Sequence, residues 1–214
     1  SVPLTRDQAN YLFAVMRLGA GAGVALFNGR DGEWAAEIAE GSKRGGSLRV
    51  LEQPGPLQMP RDLWLMFAPI KKARTGAARI LPVQTELTNA ERIRRDRLQA
   101  HAIEAAEQCG GTFVPEVTDL ARLDAVLANW ADDRQLLFCD EALVGMAQTK
   151  LTDAPQNPWA ILIGPEGGFS QTERKRLHAL PQSHPISLGP RILRADTAAV
   201  AALALWQLAL GDWG

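Results

Sequence analysis

Two glycine-rich segments near the carboxyl end of the sequence have residue types that could hold a ligand. Residues 161–163 are apolar and run into Gly-Pro-Glu-Gly-Gly at 164–168, and apolar residues 186–188 run into Gly189-Pro190. Each segment is typical of a strand that ends at a glycine-proline break before a helix. Ligands of open α/β sheets bind in loops of this kind, at the carboxyl ends of strands. We therefore expect the two loops to wall one pocket.

The composition of the first loop limits what it can bind. No Lys-Ser or Lys-Thr pair follows its glycines, so it is not a phosphate-binding P-loop, and the glycine spacing does not match a dinucleotide fingerprint. Glycine permits positive φ and a close approach of ligand to backbone, and Pro165 stiffens the turn. The loop suits a flat, neutral or cationic ligand held by main-chain groups. The alternative is an ordinary tight turn with an exposed Glu166.

The second loop carries an arginine in an unusual place. Ile192 and Leu193 are apolar although they lie in a loop, and Arg194 stands just before a helix. Positive charge at a helix N-terminus opposes the helix dipole. A residue placed against its local preference indicates a functional role. The alternative for Arg194 is a salt bridge to Asp196 or Glu166.

A stretch rich in proline and glycine at residues 53–60 separates two modules. The first, residues 1–54, opens with a capping box, Thr5 to Gln8, and continues with short strands, which predicts a small β-barrel. The second, residues 61–214, alternates strands and helices, which predicts a mostly parallel sheet covered on both faces. Its strands are predicted at residues 63–67, 80–83, 135–138, 160–163 and 185–188. Its helices are predicted from a capping box at Thr88 to Cys109, over 119–130, after a capping box at Ser170, and from a cap at Asp196 or Thr197 to about Leu210.

Composition and charge argue against a metal site built on cysteines and against a membrane-spanning helix. The formal charges nearly balance, with 23 basic and 24 acidic side chains, so the overall charge does not indicate a nucleic-acid partner. Basic residues outnumber acidic ones between residues 61 and 97, which allows a local positive face. Cys109 and Cys139 have no metal-ligand spacing and are predicted to be buried, reduced thiols. The longest apolar run, 198–210, is too short to span a bilayer.

The two loops taken together resemble the signature motifs of a known family. Residues 163–170 read Ile-Gly-Pro-Glu-Gly-Gly-Phe-Ser, with Glu173 beyond them, and residues 188–198 read Leu-Gly-Pro-Arg-Ile-Leu-Arg-Ala-Asp-Thr-Ala. This pair is similar to the motifs of the RsmE family, bacterial small-subunit rRNA methyltransferases of the SPOUT class. Further matches at residues 11–18, 27–29, 104–110 and 114–116 extend the resemblance over nearly the whole chain.

The resemblance implies a fold and an activity. The fold would be α/β: a C-terminal SPOUT domain with a deep trefoil knot, preceded by a small PUA-like β-barrel that helps to hold RNA. The family binds S-adenosylmethionine within the knot and works as a homodimer, with its active site near the subunit interface. Its product is N3-methyluridine in the decoding region of 16S rRNA in the small ribosomal subunit. A cytoplasmic enzyme that needs neither metal nor membrane is expected.

The expected roles can be given residue by residue. Arg194 is the expected catalytic residue, since a guanidinium can hold a uracil oxygen or a phosphate, and Glu166 and Asp196 are candidate proton acceptors. Cofactor contacts are expected from Gly164, Pro165, Glu166, Gly167, Gly168, Leu188, Gly189, Ile192, Leu193 and Thr197. RNA phosphate contacts are expected from Arg17, Arg30, Lys43, Arg44, Lys71, Lys72 and Arg74.

The sequence departs from the family pattern at two places. Gly111 stands where the family usually has an arginine, and only residues 73–75 bridge Lys72 and Gly76, where the family normally carries a further helix. Two other functions stay open at this point. One is ribose 2′-O-methylation, as in related SPOUT enzymes, and the other is a non-catalytic RNA-binding protein whose cofactor pocket has decayed.

Overall fold

The computed structural model describes residues 1–68, 76–88, 92–146, 151 and 154–213. The chain forms two compact units. The first comprises Ser1–Met59 together with Gln108–Val114, and the second comprises Pro60–Glu107 together with Pro115–Gly214. The segment at Gln108–Val114, which starts at the end of the helix at Arg95–Cys109, therefore belongs to the first unit.

The first unit is built on an antiparallel sheet of β1 (Val2–Pro3), β2 (Gly23–Phe27), β3 (Glu33–Ser42) and β4 (Gly45–Gly55), in the order β1-β4-β3-β2. Its core consists of Ala36, Ile38 and Leu48, which are buried because alternate residues of a strand point to the same face. The predicted capping box is confirmed: Gln8 donates its backbone N–H to the Thr5 hydroxyl, and Thr5 donates its own to the Gln8 amide oxygen. Between β1 and β2 lie α1 (Arg6–Asn10) and a π-helical turn that continues it (Tyr11–Val15).

The second unit is built on a parallel sheet whose strands are β5 (Leu63–Phe67), β6 (Arg79–Gln84), β7 (Glu116–Val117), β8 (Ala121–Arg122), β9 (Gln135–Cys139), β10 (Trp159–Ile163) and β11 (Ser183–Ile186). Their order is β11-β9-β10-β5-β6-β7, and β8 also pairs with β6. The central strands β9 and β10 are buried along their whole length, as expected of parallel strands covered on both faces. The predicted parallel sheet is therefore confirmed.

Among the described residues, four helices lie wholly or mostly in the second unit. The capping box at Ser170 is confirmed, because Ser170 and Glu173 each accept the other's backbone N–H. Cys109 is exposed rather than buried, since it ends its helix beside Gly110, whereas Cys139 is buried as predicted. The helices are α2 (Arg95–Cys109), α3 (Leu123–Ala128), α4 (Gln171–Ala179) and α5 (Ala195–Leu210), and a short 3-10 turn spans Glu141–Leu143.

Several predicted element limits are wrong. The box at Thr88 does not start α2, because its hydroxyl accepts the backbone N–H of Thr85 and residues 92–94 are not helical; residues 89–91 lie outside the described part. The helix expected from residue 119 begins later, since β8 first pairs with β6. Neither Asp196 nor Thr197 caps α5; its N-cap is Arg194, without a side-chain hydrogen bond.

Candidate functional site

The carboxyl ends of three neighbouring strands meet at one point of the parallel sheet. Ile163 at the end of β10 and Ile186 at the end of β11 both pair with Cys139 at the end of β9. Loops that leave these three strands must therefore start side by side. This register explains why two segments far apart in sequence share one site.

A cavity of about 200 Å³ lies at these strand ends. One water needs only roughly 10–15 Å³ on the same measure, so the cavity suits a small organic ligand. Predicted cofactor residues that line it are Gly164, Pro165, Glu166, Gly167, Gly168, Leu188, Ile192 and Leu193. The other two, Gly189 and Thr197, are not among its lining residues. Gly189 instead accepts hydrogen bonds through its carbonyl from Gly145 and from the Ser187 hydroxyl.

The loop after β10 needs glycine at two positions for different reasons. A side chain on Gly164 would meet the ring of Phe169 at 2.7 Å, and that ring is buried edge-on against Phe138. Gly168 has φ +71°, a backbone angle that residues other than glycine rarely adopt. The loop conformation is therefore dictated by packing at one end and by the backbone at the other, which leaves main-chain groups facing the cavity.

A carboxylate from the end of β9 braces this loop. Glu141 accepts the backbone N–H of Phe169 at 3.1 Å, and its carboxylate fills the space that a side chain on Gly168 would take. Glu141 also lines the cavity. It therefore ties the end of β9 to the glycine loop and presents negative charge to whatever the cavity holds.

The neighbouring acid, Asp140, ties the same strand end to α4. Its side chain is fully buried. Arg174 Nε lies 3.1 Å from one carboxylate oxygen, and His178 Nε2 lies 2.8 Å from the other. Burial acts to raise the pKa of the Asp140 carboxyl, but hydrogen bonds from His178, the backbone of Ala142 and Arg174 outweigh burial and hold the pKa below its ordinary value. Asp140 is therefore an anion that anchors α4, the helix that follows the glycine loop.

Cys139 contributes a neutral group to the cavity. It is buried and lines the cavity floor. Burial strongly raises the pKa of its thiol, because the thiolate would lose its hydration. The sulfur therefore behaves as a small apolar surface there, and it is not a nucleophile at neutral pH.

The second loop supplies the mouth of the cavity. Ile192 is 72% exposed although it is apolar and lines the cavity, as expected of a side chain that a ligand covers. Arg191 lines the cavity as well, whereas Arg194 does not. Arg194 lies 3.9 Å from Asp196, and the two side chains are 78% and 60% exposed. An exposed pair at this distance is weak, so the Arg194 guanidinium stays available to a partner.

The predicted RNA contacts fall into two groups. Arg17, Arg30, Lys43 and Arg44 are exposed on the first unit, the last two at the tip of the β3–β4 hairpin. No ion pair joins any of these four to a described residue. The other three, Lys71, Lys72 and Arg74, lie outside the described residues, as do residues 73–75, which bridge Lys72 and Gly76.

Sequence reasoning missed the wall formed by β9. Asp140, Glu141 and Val144 line the cavity, but neither loop motif contains them. The signal that could have found them is the acid pair directly after the apolar strand at 135–139, since ligands bind at the carboxyl ends of parallel strands. The strand order, which places β9 between β10 and β11, decided its importance.

Two features are absent from the part of the chain that the structure describes. No helix in that part of the chain has the length and hydropathy needed to cross a membrane. No group of three or more His, Cys, Asp and Glu side chains there could hold a metal ion.

Comparison with known families identifies the class of protein. Residues 59–207 match the family described as the RNA methyltransferase domain, and residues 4–51 match the RNA methyltransferase PUA domain. The first match spans the parallel sheet with its glycine loops, and the second spans most of the antiparallel sheet. The chain therefore carries the two domains of an RNA methyltransferase with an N-terminal PUA domain.

Individual relatives narrow the class to a family. The chain is 30% identical to ribosomal RNA small subunit methyltransferase E of Rickettsia conorii, over 93% of this chain and 86% of the relative. It is 31% identical to the protein of that name from Synechocystis, over 95% of this chain and 72% of the relative. The chain belongs to the family of ribosomal RNA small subunit methyltransferase E.

Solved structures agree with this assignment. A methyltransferase from Legionella pneumophila, determined with the cofactor SAM bound, superposes with a TM-score of 0.85 at 28% identity, covering 99% of this chain and 93% of that one. A ribosomal RNA small subunit methyltransferase E from Neisseria gonorrhoeae, bound to S-adenosyl methionine, gives a TM-score of 0.85 at 24% identity, covering 100% and 93%. The second likeness supports the fold alone.

Proposed function

We propose that this protein methylates N3 of a specific uridine in the decoding region of 16S rRNA, using S-adenosylmethionine as the methyl donor. The observation that carries the proposal is the glycine-lined cavity at the ends of β9, β10 and β11, in a chain of the rRNA methyltransferase family. The proposed domains are a PUA-like RNA-binding domain at 1–54 and a SPOUT methyltransferase domain at 61–214. The trefoil knot of the second domain remains a prediction.

The residues around the cavity fit this cofactor. Ile163, Ile186 and Leu188 provide an apolar floor for a nucleoside, and the glycine loop offers main-chain donors and acceptors. Glu141 and Glu166 supply negative charge, which suits a ligand that carries a sulfonium and an ammonium group. The absence of side chains at 164, 167 and 168 lets a ligand approach the backbone.

The chain's own residues supply alignment and charge. Bound S-adenosylmethionine provides an electrophilic methyl group, whose transfer requires an in-line approach. The uridine N3–H must lose its proton as the N3–methyl bond forms, and we assign its acceptance to Glu166, which is exposed at the cavity. Arg194 stabilises the negative charge that develops on the uracil oxygens, or holds a phosphate of the target.

The remaining RNA contacts are proposed on the first unit. Arg17, Arg30, Lys43 and Arg44 are exposed cations that can neutralise phosphates. Lys71, Lys72 and Arg74 are proposed to add further phosphate contacts. The small ribosomal subunit in the cytoplasm is the proposed site of action, and no metal takes part.

We also propose that the enzyme is a homodimer that associates through α5. Val200 and Leu208 are 63% and 61% exposed, and half-buried Ala204 lies between them at helical spacing. An apolar stripe of this kind is unfavourable in water, and a second copy covers it through a symmetric contact. Light scattering on Leu208→Glu should show monomers where the wild type shows dimers. A wild-type monomer at micromolar concentration would overturn the proposal.

Methyl transfer to undermethylated small subunits, compared with naked rRNA, tests the activity. Mass spectrometry of the digested RNA should show N3-methyluridine, and Arg194→Ala should strongly reduce it while S-adenosylmethionine still binds. A methyl group on the ribose 2′-hydroxyl would identify the related 2′-O activity instead. A titration without heat or thermal shift from S-adenosylmethionine would leave only a non-catalytic RNA-binding protein.

A further inference from the structure

A second cavity adjoins the glycine loop and is larger than the first. Its volume is about 520 Å³. The end of β6, the start of α3 and the first turns of α4 form it. The residues used below are Gln84, Glu86, Arg122, Asp124, Glu173 and Arg176, all of which line it. Neither loop motif nor the methyl-donor site accounts for this cavity.

One side chain connects this cavity to the methyl-donor loop. Glu173 accepts the backbone N–H of Glu86 at 2.8 Å and that of Ser170 at 3.0 Å. The turn after β6 also reaches the loop directly, since Leu87 lies 3.7 Å from where a Gly167 side chain would begin. The two cavities are therefore neighbours, separated by the turn after β6 and the end of the glycine loop.

The chemical groups of the second cavity match those of a nucleotide. Arg176 is exposed and forms no ion pair with any described residue. Arg122 is held by a two-pronged contact to Asp124 at 3.0 and 2.9 Å, which leaves one of its nitrogens without a partner among the described residues. The Gln84 amide has no hydrogen-bond partner in the described part of the chain, and an amide can both donate to and accept from a base edge.

Most acidic side chains of the cavity already have partners within the protein. Asp124 is paired with Arg122, and the Glu173 carboxylate accepts hydrogen bonds from two backbone N–H groups. Glu86 is the exception: it is exposed and acts electrostatically on Arg122. Among the described residues that line the cavity, an incoming phosphate therefore meets one cation outside any ion pair, Arg176, which acts electrostatically on Asp124, and one opposing carboxylate, Glu86.

We propose that this cavity binds the RNA nucleotide next to the one that is methylated, with its phosphate on Arg176 and its base edge on Gln84. The inference rests on the proposed rRNA methylation and adds a subsite for substrate RNA. A target base held beside the methyl-donor cavity has a covalently linked neighbour, and the adjoining polar cavity offers both a cation and an unpaired amide for it. Contacts to a neighbouring nucleotide fix the register of the target.

The test compares two cations on the same helix. Arg176→Ala should weaken binding of undermethylated small subunits roughly three- to ten-fold and lower the salt slope by about one, as for the loss of one phosphate contact. Lys175→Ala removes an exposed neighbour that does not line the cavity and should change affinity by less than about two-fold. Glu86→Gln should act in the opposite direction and strengthen binding, since it removes the opposing charge. Calorimetry should give unchanged affinity for S-adenosylmethionine in all three variants.

The outcomes separate this inference from the proposed function. If the wild type methylates the subunits but Arg176→Ala behaves like Lys175→Ala, the subsite is overturned and the activity stands. If the wild type does not methylate them while Arg176→Ala still weakens RNA binding selectively, the activity is overturned and the cavity remains an RNA site. A loss of S-adenosylmethionine affinity in Arg176→Ala would assign the residue to the cofactor site and overturn the subsite.

Discussion

The carboxylate of Glu141 accepts the backbone N–H of Phe169 at 3.1 Å, across 28 residues of sequence. The contact joins the turn after β9 to the loop after β10 where both reach the cavity. Because Gly168 lies against the same carboxylate, one acidic side chain contacts two consecutive residues of the glycine loop. Glu141 acts as a positioning residue for this loop.

Replacing Glu141 should impair cofactor binding more than folding. Glu141→Ala leaves the Phe169 N–H without its acceptor, and a hydrogen bond to a charged group contributes roughly 1.5–3 kcal/mol. We expect calorimetry to show at least about ten-fold weaker binding of S-adenosylmethionine, since 1.4 kcal/mol corresponds to about ten-fold.

Glu141→Gln is the matched control, because the amide keeps an acceptor oxygen in nearly the same place. It should recover much of the affinity that Glu141→Ala loses, and KM for the cofactor should change more than kcat. Equal affinity in Glu141→Ala and the wild type would show that the loop does not need this brace.

Two adjacent glycines should respond differently to a methyl group. Gly168→Ala places a side chain at φ +71°, in the space that the Glu141 carboxylate fills. It should lower the free energy of unfolding by roughly 1–3 kcal/mol. Gly167→Ala meets nothing closer than Leu87 at 3.7 Å among the described residues, so its melting temperature should stay near the wild-type value. Comparable melting curves for both variants would contradict the loop conformation.

Acid should destabilise the protein through Asp140. The pKa of this carboxyl is held below its ordinary value of 3.8. The stability that the ionised Asp140 carboxylate contributes to the fold is therefore complete above about pH 4, and it is lost as the pH falls through the folded-state pKa. Thermal unfolding between about pH 5 and pH 2 should show a fall in melting temperature that is shallower in Asp140→Asn. High salt should weaken this slope little, because the side chain is buried. Parallel slopes in both proteins would exclude Asp140 as the source.

A stability defect without a cofactor defect is expected at the opposite end of the sheet. Arg134 contacts the Asp62 carboxylate at 2.8 and 3.0 Å and lies over the Trp64 ring at 3.7 Å. Both Asp62 and Arg134 directly precede strands, whereas the cavity lies at the strands' carboxyl ends. Arg134→Ala should lower the free energy of unfolding by roughly 1–3 kcal/mol. Calorimetry below the melting temperature should give wild-type affinity for S-adenosylmethionine, and weaker binding would contradict the separation of the two ends.

Local sequence signals located most elements but not all of their limits. The capping boxes at Thr5 and Ser170 were predictable because each is complete within four residues. The box at Thr88 has the same residue types, yet its hydroxyl bonds to Thr85 inside a turn that Glu173 holds from α4. A local bond from backbone to side chain, in a turn that a residue of α4 also contacts, thus took the place of the helix cap.

The sequence by itself determined the parallel α/β sheet, the antiparallel module before it and eight residues of the cavity lining, since apolar runs and glycine breaks act locally. Only the tertiary structure decided that β9 lies between β10 and β11, which brings Cys139, Asp140 and Glu141 into the site. It also placed Arg191 rather than Arg194 on the cavity and left Gly189 and Thr197 outside it. Strand order and side-chain direction depend on contacts between distant segments, and no local pattern records them.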